Sequence, residues 1–296
     1  MKIIVFLVFT FIQIKLLAQL NNEFDFSKND SSAIAPVKEN YTLLFDEEFV
    51  SPFLDSTKWL PYYLPHWSSR ELSKPNYEVK DGKLILKITK NQKPWCPEFN
   101  GNVKCSSIQT GNYAGAPGSS IGQHKFFNLN AVVREQQLNE KKFVPQYGYF
   151  EMKAKFAASK TNVVALWMIG YEDKPERSSE LCIMEVKGWN IKDDSVKIGM
   201  GIHKFNDKNI NEDFTEHAYQ IDVRKFHVYA AEWKPDTINF YIDNVLVKTI
   251  NQSPNYPMQF MLGIYEIPEL GVEEHSVNYP KKFVIDYFKA YKLKGW

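Results

Sequence analysis

The chain has 296 residues, 44% of them hydrophobic and 24% charged, and a formal net charge of +1 at pH 7. This is an ordinary globular composition without a block of like charge, which argues against an electrostatic nucleic-acid binder, since such a protein needs a basic face. Seven Trp, 16 Tyr and 21 Phe suit a β-rich core and a surface that stacks on flat apolar faces.

At the N-terminus, Lys2, the apolar run Ile3–Ile12 and the small residue Ala18 have the form of a secretory signal peptide over residues 1–18. The run falls well short of the ~20 residues that a membrane span requires, and Gln13 and Lys15 interrupt its continuation. The expectation is a secreted protein, periplasmic or extracellular, with no membrane association after cleavage. Residues 19–40 are polar and turn-rich and read as a flexible leader. Residues 41–296 read as one domain, since no repeat or boundary divides them.

Strand patterns follow one another from Tyr41. In "KLILKI", Leu84, Leu86 and Ile88 share a face. In "YGYFEMKAKF", Phe150, Met152, Ala154 and Phe156 alternate with Glu151, Lys153 and Lys155. "TINFYIDNVLVKTI" predicts a hairpin turning at Asp243-Asn244, and "KFVIDYFKAYKL" alternates again. Period-two patterning without a long helical stripe predicts an all-β fold, a sandwich or barrel. The segment Lys93–Gln146 is the least regular and reads as functional loops near a cleft, its apolar content arguing against disorder. Its glycine-rich "AGAPGSSIG" lacks the ending of a phosphate loop. Within it, Cys96 and Cys105 flank "PEFNGNV" and could close a small disulfide loop in an oxidising compartment, the alternative being two unpaired thiols.

The run "ELCIME" sets Glu180 and Glu185 into an apolar strand with Cys182 between them. In a regular strand the two carboxylates point to opposite faces. One extra residue, a β-bulge at Ile183–Met184, returns Glu185 to the face of Glu180. Two carboxylates lining one cleft, ~5–5.5 Å apart, can perform double displacement at a glycosidic bond, one attacking the anomeric carbon and the other cycling a proton. The competing reading is two ion-paired surface groups around an inert core thiol.

The run resembles the signature of glycoside hydrolase family 16, in which an aspartate usually stands between the two glutamates. The resemblance extends to "LLFDEEF" with "LDSTKW", to "YGYFEMKAKF" with "ALWMIG", to "FHVYAAEWKPDTINFYIDNVLV", and to "YPMQFMLGIY" with "FVIDYFKAYKL". It implies a β-sandwich of jelly-roll type with a concave substrate-binding sheet. It also implies retaining endo-hydrolysis of β-linked polysaccharide, with Glu180 as nucleophile and Glu185 as general acid/base. Cys182 at the aspartate position is the departure: a thiol donates weakly and bears no charge near neutral pH. That substitution keeps a second reading in view, a non-catalytic carbohydrate-binding protein of the same fold; a transglycosylase is a third.

The resemblance further suggests Trp167 as a sugar-stacking residue, or else an ordinary core tryptophan. Trp67 and Arg70 occupy a loop where relatives place substrate contacts, the alternative for Arg70 being a pairing with Glu71 or a neighbour. Trp189 follows the motif closely enough to cap the cleft. His203 shares a face with Gly199 and Gly201, which as small residues leave room for a ligand, although a lone histidine is more often structural. No cofactor is expected, and no zinc-like cluster is present. Glu48 and Asp286 could offer oxygens to a structural calcium, but no metal is assigned. The expected partner is a polysaccharide, met by a monomer.

Overall fold

A computed structural model describes residues 35–295 apart from 37, 158 and 269–277. The signal peptide and most of the leader lie outside the described residues. The end of the leader is not loose: the Ala35 amide donates to the Asn244 carbonyl (2.8 Å), and Lys38 pairs with Glu151 (2.6 Å).

The strands run in chain order as β1 (Tyr41–Glu47), β2 (Asn76–Lys80), β3 (Lys83–Ile88), β4 (Lys104–Gln109), β5 (Gly111–Asn112), β6 (Glu140–Lys141), β7 (Gly148–Phe156), β8 (Asn162–Gly170), β9 (Glu180–Lys187), β10 (Val196–His203), β11 (Asp213–Tyr219), β12 (His227–Trp233), β13 (Ile238–Ile242), β14 (Val245–Ile250), β15 (Met258–Glu266) and β16 (Lys281–Leu293). One sheet has the order β14-β13-β12-β7-β16-β3-β2, with β1 also on β16; the other is β11-β10-β9-β8-β15-β4. All their pairings are antiparallel. This is the jelly-roll sandwich that the resemblance implied.

The alternating patterns explain the layering. Leu84, Leu86 and Ile88 of β3 and Phe150, Met152, Ala154 and Phe156 of β7 enter one buried core between the sheets. They meet Leu166, Leu181, Ile198 and Leu262 from the six-stranded sheet. Asp243 and Asn244 both take positive φ (49° and 67°), which a two-residue hairpin turn of this hand requires.

The outer face of the six-stranded sheet is buried too. A second apolar cluster joins Val163, Ala165, Trp167 and Cys182 to Tyr63, Trp67, Trp95, Phe127 and Val133. The Lys93–Gln146 segment supplies much of this roof, and it also contains β4, a sheet member that its polar sequence "KCSSIQ" did not announce. Ser106 and Ser107 are buried there, with hydroxyls donating to the carbonyls of Lys87 (2.6 Å) and Leu262 (2.9 Å).

The proposed bridge is not formed: Cys96 and Cys105 are free thiols. Cys96 precedes the short helix Pro97–Asn100 and aims its sulfur at the Trp67 carbonyl (3.3 Å), while Cys105 lies on β4 opposite Tyr265.

Candidate active site

Strand β9 carries the irregularity that the two-carboxylate reading requires. Trp167 on β8 faces Cys182, yet its neighbour Leu166 faces Met184. On the other side Gly201 pairs with Cys182 and Gly199 with Glu185. The extra residue therefore lies at Ile183–Met184, and both of those side chains point into the core. Glu180, Cys182, Glu185 and Lys187 consequently share the outer face, while Leu181, Ile183, Met184 and Val186 pack inward.

Glu180 and Glu185 are 0% and 1% exposed, and none of their four carboxylate oxygens has a hydrogen-bond partner in the protein. Such atoms are costly to bury, so a fold that retains them here holds polar capacity for something other than packing. Burial pushes the Glu180 carboxyl well above its ordinary range, and the charges of Glu185 and Glu212 add to this. Burial likewise pushes Glu185 up to about 8, against the pull of Lys187 and with help from Glu216. Two acids on one enclosed face cannot both ionise readily, so the pair titrates as a unit. In the free protein the lysine favours ionisation of Glu185 first, the reverse of the order in which a nucleophile at 180 and an acid at 185 would be used.

These shifts predict a pH dependence of stability. A carboxyl whose folded pKa is raised adds nothing unfavourable below its unfolded value, near 4.5, and weakens the fold progressively as pH climbs to its folded value, about 8. Urea melts at pH 5 and pH 8 should therefore show wild-type stability falling with pH. Glu185→Gln should remove a share of that fall on the order of 3 kcal/mol. An unchanged slope would mean that Glu185 is not buried as described.

His124 stands beside Glu180, its Nδ1 3.9 Å from Oε2. Its ring is buried, and neither nitrogen has a hydrogen-bond partner in the protein. Burial, with His203 nearby, lowers its pKa to about 3, so the imidazole is neutral. The loop that carries it is held from below: the His124 amide, at a left-handed φ of 54°, donates to Glu172 Oε1 (2.6 Å). Above it, Phe126 stacks on Phe205 with centroids 4.3 Å apart and planes 10° apart, joining this loop to the one after β10.

The other residues singled out from sequence divide sharply. Trp167 lines the face beside Cys182, 1% exposed, with Nε1 donating to the Tyr265 hydroxyl (3.1 Å) and its ring edge-on to His124. Trp67 is a core residue of the roof, fully buried and donating to the Gln123 carbonyl (2.8 Å). Arg70 neither pairs with Glu71 nor touches the acids; its guanidinium reaches Gln137 (2.8 Å) and lies over Tyr62. A cavity of about 160 Å³ borders Trp67, Ser68, Leu72 and Arg134, and neither acid lines it. Trp189, in the turn after β9, packs half-buried against the roof cluster.

His203 pairs across the strands with Glu180, but its Nδ1 bonds Glu212 (2.5 Å). The room expected over the glycines is taken by protein. A Cβ at Gly199 would come within 2.3 Å of the Phe214 ring, and one at Gly201 within 1.9 Å of the Asp213 carbonyl. Phe214 also stacks on His203 (4.5 Å). The carboxylates considered for calcium are occupied by lysines: Glu48 by Lys289 (2.7 Å), Asp286 by Lys153 (2.9 Å) and Lys83 (3.4 Å). Among the described residues no group of three or more His, Cys, Asp or Glu side chains is arranged to hold a metal ion.

Sequence reading missed His124, Glu172, Lys187 and Glu216. Lys187 was within reach, because alternation places it on the face of Glu185. His124 sits in an irregular loop with no periodic signal.

The family model for glycosyl hydrolases family 16 matches residues 120–279. Among solved structures, an endo-β-galactosidase from Clostridium perfringens that releases GlcNAcα1-4Gal is 33% identical, with a TM-score of 0.75; the match covers 87% of this chain and 64% of that one. The catalytic domain of a laminarinase from Thermotoga petrophila is 20% identical over 86% of this chain and 99% of its own, with a TM-score of 0.62. Among curated proteins, glucan endo-1,3-beta-glucosidase A1 of Niallia circulans is 24% identical over 87% of this chain, which spans only 39% of that protein.

Proposed function

The chain belongs to glycosyl hydrolases family 16, and on that premise we propose that it is a secreted, retaining endo-glycosidase cleaving β-linked polysaccharide, glucan or galactan. The observation that carries the reading is the bulge at Ile183–Met184, which sets two buried carboxylates on one face. The greater likeness to an endo-β-galactosidase than to the glucanases favours a galactose-containing chain.

In the first step Glu180 bonds to the anomeric carbon as the glycosidic bond breaks, and Glu185 gives its proton to the leaving oxygen. In the second, water bonds to that carbon, its proton passes to Glu185, and Glu180 leaves. Charge order is resolved by the substrate. Positive charge developing at the anomeric carbon supplies Glu180 with the counter-charge that the free protein lacks, so ionised Glu180 and protonated Glu185 become the favoured pair.

Two observations support the alternative of carbohydrate binding without turnover. Cys182 stands where the family signature it resembles usually has aspartate, and both acids are buried. Incubation with a panel of β-glucans and β-galactans, scored by new reducing ends, separates the readings. The expected result is cleavage within the galactan arm and none by Glu180→Ala. Binding of a glycan without cleavage by the wild type overturns the hydrolase.

A further inference from the structure

Lys187 lies between two carboxylates on different strands. Its Nζ is 2.7 Å from Glu216 Oε1 and 3.6 Å from Glu185 Oε1, the first a hydrogen-bonded ion pair and the second an ion pair beyond hydrogen-bond reach. The sheet explains how one cation reaches both. Gly199 of β10 pairs with Glu185 on β9 and with Glu216 on β11, so the two acids flank a residue with no side chain. Lys187, two residues beyond Glu185 on the same face and 13% exposed, reaches both acids beside the Phe214 ring that covers Gly199. Burial alone would lower its pKa; Glu185 and Glu216 together hold it above the ordinary lysine value, so the cation stays charged.

We propose that Lys187 and Glu216 form a counter-ion device that sets the ionisation of Glu185, with Glu216 holding the cation while Glu185 is protonated and sharing it once the proton has left. This rests on the acid/base reading of Glu185 given above. The chemistry gives such a device a purpose. Glu185 has to hold a proton for the first step and be a base for the second, in a face that penalises its charge. With Lys187 committed to Glu216, the protonated carboxyl faces a neutral pair. After proton transfer to the leaving oxygen, the cation needs to move only within its own side chain to lie between two carboxylates. Lys187 is thus a positioning residue, acting through Glu185.

The charged surroundings of Glu185 are few. From β9 they are Glu180, Lys187 and the neutral thiol of Cys182; from β11, Glu216; from β10, Gly199 and, at the exposed end of the strand, Lys197; β8 presents Ala165 and Val163. Among the described residues Lys187 and Glu216 are the partners that act on Glu185 with opposite sign, while Glu180 is coupled to it as the second acid of the pair.

Opposite sign is the test. Lys187→Met removes the cation and should raise the Glu185 midpoint; Glu216→Gln frees the cation for Glu185 and should lower it. Each shift is expected to be about one pH unit, the lower end of what one charge at this range produces. Lys187→Arg should restore the wild-type midpoint to within about 0.3 of a unit, a small residue of a full charge effect. Two readouts apply. One is the alkaline limb of kcat/KM on laminarin or a β-galactan, which reports the acid of the free enzyme. The other is the ¹³C NMR titration of the Glu185 carboxyl, assigned by its loss in Glu185→Gln, which needs no substrate. Midpoints that move together, or not at all, overturn the proposal. If Lys187→Met fails to fold, the isosteric Glu216→Gln decides by the sign of its shift. Opposite NMR shifts in a protein that cuts no glycan leave the ion device standing and remove the hydrolase reading. Cleavage with unmoved midpoints does the reverse.

Discussion

Glu180→Ala is expected to lower kcat/KM on the order of 10⁴-fold or more while raising the melting temperature. The two effects share a cause. Glu180 is fully buried with both oxygens unpartnered, and its carboxyl is pushed up chiefly by burial. An unsatisfied buried polar group costs about 1–3 kcal/mol, so truncation should relieve that cost as it removes the proposed nucleophile. For a domain of this size that relief corresponds to a rise of about 2–6 °C. Azide provides the mechanistic check. A small anion entering the space left by the carboxylate attacks the anomeric carbon opposite the leaving oxygen, so an activated β-glycoside should yield the α-glycosyl azide. Lost activity with a lowered melting temperature and no azide product would make Glu180 a structural residue.

Cys182→Asp is expected to trade stability for rate. The thiol is 1% exposed and its sulfur is 4.0 Å from the Gly199 carbonyl, a marginal contact. Burial first, then Glu185 and Glu180, hold it well above the ordinary thiol range, so it carries no charge. A carboxyl placed there would be raised for the same reasons. That costs stability progressively as the pH climbs above the carboxyl's unfolded value, on the order of several kcal/mol for a fully buried group, and nothing below about 4. Urea melts should show the variant close to wild type at pH 4 and several kcal/mol weaker at pH 8. While protonated, the new group can donate to Glu180 and steady it, as a neutral thiol does poorly. Turnover at pH 5–6 should rise about tenfold, the worth of one added hydrogen bond to a charged group. A loss of turnover at a pH where the variant is folded would show that this site makes use of its sulfur.

What the sequence disclosed follows from what repeats. β3 and β7 alternate because one face of each meets the core, and Asp243-Asn244 marks its turn because few residue types accept positive φ. The two acids were legible because carboxylates are rare in apolar strands. The bulge that unites them was a chemical requirement, not a local signal, and only strand register displays it. β4 escaped notice because its buried faces use serines bonded to carbonyls. The room supposed over Gly199 and Gly201 was misjudged because Phe214 and Asp213 come from the next strand, at no fixed distance in sequence. His124 was out of reach for the same reason: its place beside Glu180 depends on Glu172, 48 residues along the chain.

The stacked rings of Phe126 and Phe205 have a kinetic consequence. They join the loop that carries His124, the neighbour of Glu180, to the loop after β10, and the acids themselves are buried. On the proposed function, a polymer cut in its interior would have to reach these buried acids from the side, and a link between the two loops would then have to open for it. If that opening limits turnover, shortening either phenylalanine would raise the rate on long and short substrates alike. Chain length would govern how tightly a substrate is held once inside; the parting of two aromatic rings would govern how often one gets in.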